Sequence, residues 1–271
     1  EGDTNTVLAG ALTAAKLHIK VAHVEAGLRS YSKEMPEEIN RILTDHCSDF
    51  VFAPTKGAKN NLLNEGISEK KIFTVGNTIV DAVKENLKLA ENESKILKKL
   101  NLKNKNYCLL TLHRQENVDK KERLKKIFQG LDFVYKKFGL KIIFPIHPRA
   151  KKMISEFKLK IPKGIGLIEP QGYLDFLQLE ANAKLAITDS GGVQEEACIL
   201  KVPCVTLRDN TERPETIEVG ANVLAGADPD KILQSVKKMI SKKNNWKNPF
   251  GDGESSVKII KSILQEYEAG E

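Results

Sequence analysis

Short β-branched runs alternate with longer segments of helical periodicity along nearly the whole chain. The runs at 20–24, 49–53, 72–75, 107–112, 141–146, 165–168, 184–188 and 203–207 predict strands. Between them, the spacing of apolar positions predicts helices near 4–17, 36–47, 56–64, 77–91, 120–138, 149–157, 173–181 and 193–200, with others near 230–240 and 255–267. Strand–helix alternation of this kind predicts an α/β fold, in which parallel sheets are covered by helices on both faces. Ligands then belong at the C-terminal ends of the strands. A stretch at 84–105 is rich in Lys, Glu and Asn and has no strand signal, so it predicts the connection between two αβ series. The expected domains are 1–83 and 84–250, followed by a terminal helix within 254–271.

Several predicted strand ends carry polar residues where a turn alone would need none. Thr188-Asp189-Ser190-Gly191-Gly192-Val193-Gln194-Glu195-Glu196 follows an apolar strand and opens a helix. Gly191 and Gly192 let backbone N–H groups approach an anion, the helix dipole favours a phosphate there, and Ser190 adds a donor. Glu196, one turn on, is placed to accept from a ribose diol. His113-Arg114, after the strand at 107–112, suits a diphosphate: Arg114 by charge and fork geometry, His113 as donor or proton carrier. His147 ends the next strand, and a dense polar loop with Arg208, Glu212 and Arg213 ends another. The first series supplies acids: Asp3, expected at the end of an opening strand, Glu25 directly after the strand at 20–24, and Glu37 in the first turn of a helix. A carboxylate placed directly after a buried strand is costly unless used or paired. Several such acids, beside a phosphate-binding domain, describe proton transfer on a sugar.

Composition narrows the class. With 271 residues, 41% hydrophobic and 29% charged, the chain can bury a sizeable core, which excludes global disorder. No apolar run approaches the roughly 20 residues that cross a bilayer, and a soluble cytoplasmic protein is expected. The net charge of +7 invites a nucleic-acid reading, but the lysines are scattered over helix faces without aromatic interleaving, so no nucleic-acid partner is expected. Cys47, Cys108, Cys198 and Cys204 follow no metal-ligand spacing and read as reduced core thiols.

In this order, Gly2–Thr4, HVEAGLRS at 23–30, MPEEINR at 35–41, HRQEN at 113–117, DSGGVQEEA at 189–197 and TERPE at 211–215 resemble the signatures of the non-hydrolysing UDP-N-acetylglucosamine 2-epimerases. The resemblance implies two Rossmann-like domains facing across a cleft, the glycosyltransferase type B architecture, with the last helix returning to the first domain. It implies interconversion of UDP-GlcNAc and UDP-ManNAc, without cofactor or metal, by elimination of UDP to a 2-acetamidoglucal and re-addition after reprotonation. Asp3, Glu25 and Glu37 match the family's essential carboxylates, and His113 its histidine near the diphosphate. Ser190, Gly191, Gly192 and Glu196 match its UDP contacts, with Arg114 and Arg213 supporting the nucleotide. His147 and Arg114 match candidates for an allosteric UDP-GlcNAc site, and a homodimer is expected. Family members begin with further αβ units before Gly-Asp-Thr, so the first domain is expected to be incomplete here and the isolated segment inactive. Three other readings use the same residues: a hydrolysing 2-epimerase that releases UDP and ManNAc, a UDP-sugar glycosyltransferase, and a nucleotide-sugar-binding regulator without catalysis.

Overall fold

The computed structural model describes residues 1–268. In chain order the elements are α1 (Asn5–Lys16), β1 (Ala22–Val24), α2 (Pro36–Cys47), β2 (Phe50–Ala53), α3 (Lys56–Asn64), β3 (Ile72–Thr74) and α4 (Thr78–Glu93). There follow α5 (Ile96–Lys99), β4 (Tyr107–Thr111), α6 (Gln115–Val118), α7 (Lys121–Phe138), β5 (Lys141–Pro145), α8 (Pro148–Glu156), β6 (Ile165–Ile168) and α9 (Tyr173–Ala181). The chain ends with β7 (Leu185–Thr188), α10 (Gly191–Ile199), β8 (Cys204–Thr206), α11 (Pro214–Glu218), β9 (Asn222–Leu224), α12 (Pro229–Ile240) and α13 (Ser255–Glu268). Two compact units result, residues 1–84 with 249–271 and residues 85–248.

In the first unit, β1, β2 and β3 form a parallel sheet in that order. Its core gathers Val51, Ala53, Ala58, Leu62 and Ile72. Helix α13 packs here, with Ile259 buried against Phe52 and Val75. The carboxylate of Asp81 fixes its start, accepting the N–H groups of Ser255 at 3.2 Å and Ser256 at 3.0 Å and the Ser256 hydroxyl at 2.7 Å. Gly76 has φ +89°, and a Cβ there would meet Ser255 Oγ at 2.8 Å and the Phe250 carbonyl at 3.1 Å, so the close approach of that chain segment needs glycine.

The second unit has a six-stranded parallel sheet of order β6-β5-β4-β7-β8-β9. Strand β4 alternates strictly: Cys108 and Leu110 enter the larger core with α7, α8 and α12, while Tyr107 and Leu109 enter the other with α9 and α10. Burial pushes the Cys108 and Cys198 thiols up to about 12. Residues 84–105 are more than a connection, because Ile96, Leu97, Leu100 and Leu102 pack into the second core. Strand β9 went unpredicted: with only three residues, Asn222, Val223 and Leu224, it offers too little alternation to register. Residues 1–4 form no strand, so Asp3 does not end one among the described residues. Among those residues no helix is long and apolar enough to cross a membrane.

Candidate active site

The sheet of the second unit runs β4, β5, β6 toward one edge and β7, β8, β9 toward the other, so its order reverses between β4 and β7. In doubly wound sheets the loops that diverge from such a reversal open a crevice for ligands. The loops leaving β4 and β7 are those of His113-Arg114 and Ser190-Gly191-Gly192.

Asp189, fully buried at the end of β7, ties the two loops together. Its carboxylate accepts the backbone N–H groups of His113 at 3.1 Å and Arg114 at 3.0 Å and the Asn117 side-chain amide at 3.1 Å, and it pairs with His113 Nδ1 at 3.0 Å. Burial alone would raise its pKa, but these donors outweigh it and hold the carboxyl below the ordinary aspartate range. The pairing turns Nε2 of His113 away from Asp189. His147, the N-cap of α8, lies beside it with ring centroids 5.7 Å apart. Partial desolvation, then the neighbouring His113, holds the His147 imidazole below its usual pKa.

Ser190 is the N-cap of α10 and makes no side-chain capping bond, which leaves its hydroxyl for another partner at the helix start. A Cβ on Gly191 would fall 2.5 Å from Glu212 Oε1, whereas one on Gly192 would meet nothing nearer than Ser190 Oγ at 4.0 Å. A side chain at Gly191 would displace the Glu212 carboxylate, and Gly192 leaves an exposed backbone at the helix N-terminus. The polar loop after β8 is held by internal ion pairs: Arg208 Nη1 to Glu212 at 2.8 Å, Arg114 Nη2 to Glu212 at 3.6 Å and Arg213 Nε to Glu195 at 2.7 Å. Arg208 and Arg213 are buried, so their first task is to shape this loop. Glu196, on α10, accepts the Tyr173 hydroxyl at 3.1 Å.

The first unit assembles the acids. Arg41, buried on α2, grips Asp3 Oδ2 with Nε at 3.0 Å and Nη2 at 2.9 Å, and reaches Glu38 with Nη1 at 2.5 Å. Asn40 donates to the Asp3 carbonyl at 2.9 Å, and His23 bonds the Gly2 carbonyl at 3.0 Å while its other ring nitrogen meets Asp45 at 2.6 Å. Glu25, just past β1, has φ +71°, a conformation that costs a non-glycine residue about 1–2 kcal/mol. A Cβ on Gly2 would lie 3.8 Å from Glu25 Oε2, so the Glu25 carboxylate stands beside the segment that carries Asp3. Glu37 is half-buried in the first turn of α2, one turn before Arg41.

A family model described as UDP-N-acetylglucosamine 2-epimerase matches residues 1–264. The chain belongs to that family. A UDP-N-acetylglucosamine 2-epimerase of Methanocaldococcus jannaschii is 62% identical over 97% of this chain and 74% of its own length. One of Methanococcus maripaludis is 58% identical over 98% of this chain and 74% of its own. The crystal structure of the Methanocaldococcus jannaschii enzyme in complex with UDP-GlcNAc and UDP superposes with a TM-score of 0.92, covering 97% of this chain and 74% of that one.

Three residues with a structural part in these arrangements, two in the second unit and one in the first, carry no role in the sequence pattern. Asp189 satisfies the argument applied to Glu25, a carboxylate directly after a buried strand, and could have been found by it. Arg41 lies four residues past Glu37, on the same face of α2. Glu180, buried on α9 near Glu196, gave no signal, since a single acid in an apolar helix looks like a surface position.

Proposed function

We propose that this protein interconverts UDP-GlcNAc and UDP-ManNAc without net hydrolysis. The observation that carries the reading is the convergence, at the sheet reversal of the second unit, of the His113-Arg114 and Ser190-Gly191-Gly192 loops through Asp189. That convergence provides cationic, hydroxyl and helix N-terminal donors suited to a diphosphate. Ser190, Gly191 and Gly192 hold the phosphates, Glu196 accepts from the ribose, and Arg114 and His113 offset charge as UDP leaves. Arg213 keeps the loop after β8 in place through Glu195.

The C2 proton of the sugar is weakly acidic, so the reaction runs by elimination. A base takes the C2 proton while the C1–O bond breaks toward UDP, giving 2-acetamidoglucal. The reverse addition delivers a proton to the opposite face of C2 and UDP oxygen to C1. Asp3, Glu25 and Glu37 supply the acids and bases, and Arg41 holds the Asp3 carboxylate in place. The reaction as drawn requires neither cofactor nor metal. UDP-ManNAc made in this way, in the cytoplasm by a homodimer, feeds cell-surface polysaccharide synthesis, and His147 with Arg114 belongs to a second, regulatory UDP-GlcNAc site.

Proton NMR of UDP-GlcNAc with the protein as its gene encodes it, in deuterium oxide, tests the reading. Deuterium at C2 of both epimers at equilibrium is expected. Free ManNAc accumulating would transfer the reading to the hydrolysing reaction, and binding without exchange would leave only a nucleotide-sugar receptor.

A further inference from the structure

Helices α9 and α10 pack into one core, and each buries a glutamate there, Glu180 near the end of α9 and Glu196 in the second half of α10. Glu180 has no exposed surface, and Glu196 is 7% exposed. Neither forms an ion pair among the described residues, and both carboxyl oxygens of Glu180 are sealed from solvent without a hydrogen-bond donor. Tyr173 and Cys204 are the other titratable groups facing Glu180. Within this core the partner of Glu180 is the carboxyl of Glu196. Two carboxylates, both acceptors, cannot satisfy one another. A proton on Glu180 removes one buried charge and converts an orphaned acceptor into the donor that Glu196 faces.

We propose that Glu180 is held as the neutral acid and donates a hydrogen bond to Glu196, positioning the Glu196 carboxylate to receive the 2′,3′-diol of a bound nucleotide. The proposal rests on the ribose role given to Glu196 above. Burial raises both carboxyls; the facing Glu196 pushes that of Glu180 further, well above the ordinary glutamate range, whereas hydrogen bonds from Tyr173 and Glu180 draw that of Glu196 back down, so the proton belongs on Glu180. Burial and the neighbouring Glu196 raise the Tyr173 phenol as well, so it remains a donor. Glu196 thus takes one hydrogen bond from Tyr173 and one from Glu180 on its inner side, and its remaining lone pairs are left for the diol. Glu180 touches no ligand in this scheme. It is a positioning residue, and it makes recognition of ribose depend on a proton stored one side chain away.

Calorimetric titration of the protein, Glu180→Gln and Glu180→Leu with UDP and with 2′,3′-dideoxy-UDP tests this. The unsubstituted protein is expected to prefer UDP by about tenfold or more, as loss of the diol removes bonds to a charged acceptor. Glu180→Gln, whose amide still donates, retains the preference. Glu180→Leu loses most of it while binding the dideoxy nucleotide within about twofold of the unsubstituted protein, which also reports that it is folded. Infrared spectroscopy at neutral pH gives a readout independent of that variant: a protonated-carboxyl C=O stretch that vanishes in Glu180→Gln. The absence of that stretch, a Leu variant with full preference, or a Gln variant that loses as much as the Leu variant would each overturn the proposal. If the unsubstituted protein does not distinguish the two nucleotides, the ribose role of Glu196 falls and the proposal with it. If it does and the variants leave that distinction unmoved, the proposal alone fails.

Discussion

The buried carboxylate of Asp189 accepts the backbone N–H of His113 at 3.1 Å and meets its Nδ1 at 3.0 Å, so one side chain sets both the position and the ring orientation of the histidine. Asp189→Ala would strand these donors and those of Arg114 and Asn117, at a cost of about 1–3 kcal/mol for each buried group left unsatisfied. A lower melting temperature and weaker UDP binding are expected, although Asp189 itself faces no ligand. Its depressed pKa fixes the sign with pH: the stabilisation is complete above the unfolded aspartate value of about 4 and is lost as pH falls through the lower folded value. Thermal denaturation between neutral and acid pH should show Asp189→Ala losing less stability on acidification than the unsubstituted protein. An equal loss in both would count against Asp189 as the tie.

The two glycines at the start of α10 should separate folding from binding. Gly191→Ala places a Cβ 2.5 Å from Glu212 Oε1, so the Glu212 carboxylate must move away from the position in which Arg208 and Arg114 hold it. Overpacking of this kind costs about 1–3 kcal/mol. Gly192→Ala has room, its nearest neighbour being Ser190 Oγ at 4.0 Å. It is expected to melt within about 1 kcal/mol of the unsubstituted protein yet to bind UDP less well, because the methyl group occupies the approach to the helix N-terminus. Calorimetry and melting curves on both variants check the contrast.

Much of this was legible because the pattern repeats. Strand–helix alternation predicted the α/β fold, and polar residues directly after β4 and β7 lie at the reversal of the sheet order. What stayed hidden was pairwise. Arginines at 208 and 213 read either as reaching over a sugar or phosphate or as pairing at the surface; each is instead buried against a glutamate, and sequence spacing does not reveal that burial. Glu180 sits in α9 with apolar neighbours and meets Glu196 only because α9 and α10 flank the same face of the sheet. Strand β9 and helices α5, α6 and α11 are too short to impose a period.

Helix α13 should depend on a single carboxylate. Asp81 accepts two N–H groups and one hydroxyl at the helix start, where the positive end of the dipole adds to the attraction. Asp81→Ala is expected to cost about 1–2 kcal/mol, as for loss of an N-cap, and to expose Ile259 as the helix frays. Hydrogen exchange of amides 255–263 should accelerate while those of β4 and β7 do not. Uniform acceleration across the chain would show that α13 does not detach by itself.

The acids of the first unit make the sharpest kinetic test, because their removal should leave the nucleotide grip of the second unit intact. Asp3→Asn, Glu25→Gln and Glu37→Gln are each expected to lower kcat by about 10²–10⁴-fold, the usual contribution of a general acid or base, with UDP affinity within about twofold. Arg41 offers a control of different character. It spans Asp3 and Glu38 with separate nitrogens, the Glu38 contact buried and the Asp3 carboxylate half-buried. Arg41→Ala would leave the buried Glu38 with only the backbone N–H groups of Ser30 and Tyr31 as donors and no counter-charge, at a cost of up to about 3–5 kcal/mol, and is expected to destabilise the first unit. Arg41→Lys keeps the charge but cannot span both acids, so it should fold with Asp3 misplaced and kcat lowered by about tenfold or more. Deuterium exchange at C2, read separately from net epimerisation, distinguishes the two effects. A lost acid or base should abolish exchange, and a misplaced Asp3 should slow exchange and epimerisation together. If Asp3→Asn exchanged C2 at the unsubstituted rate, Asp3 would not serve at C2, and the grip of Arg41 would matter only to the fold.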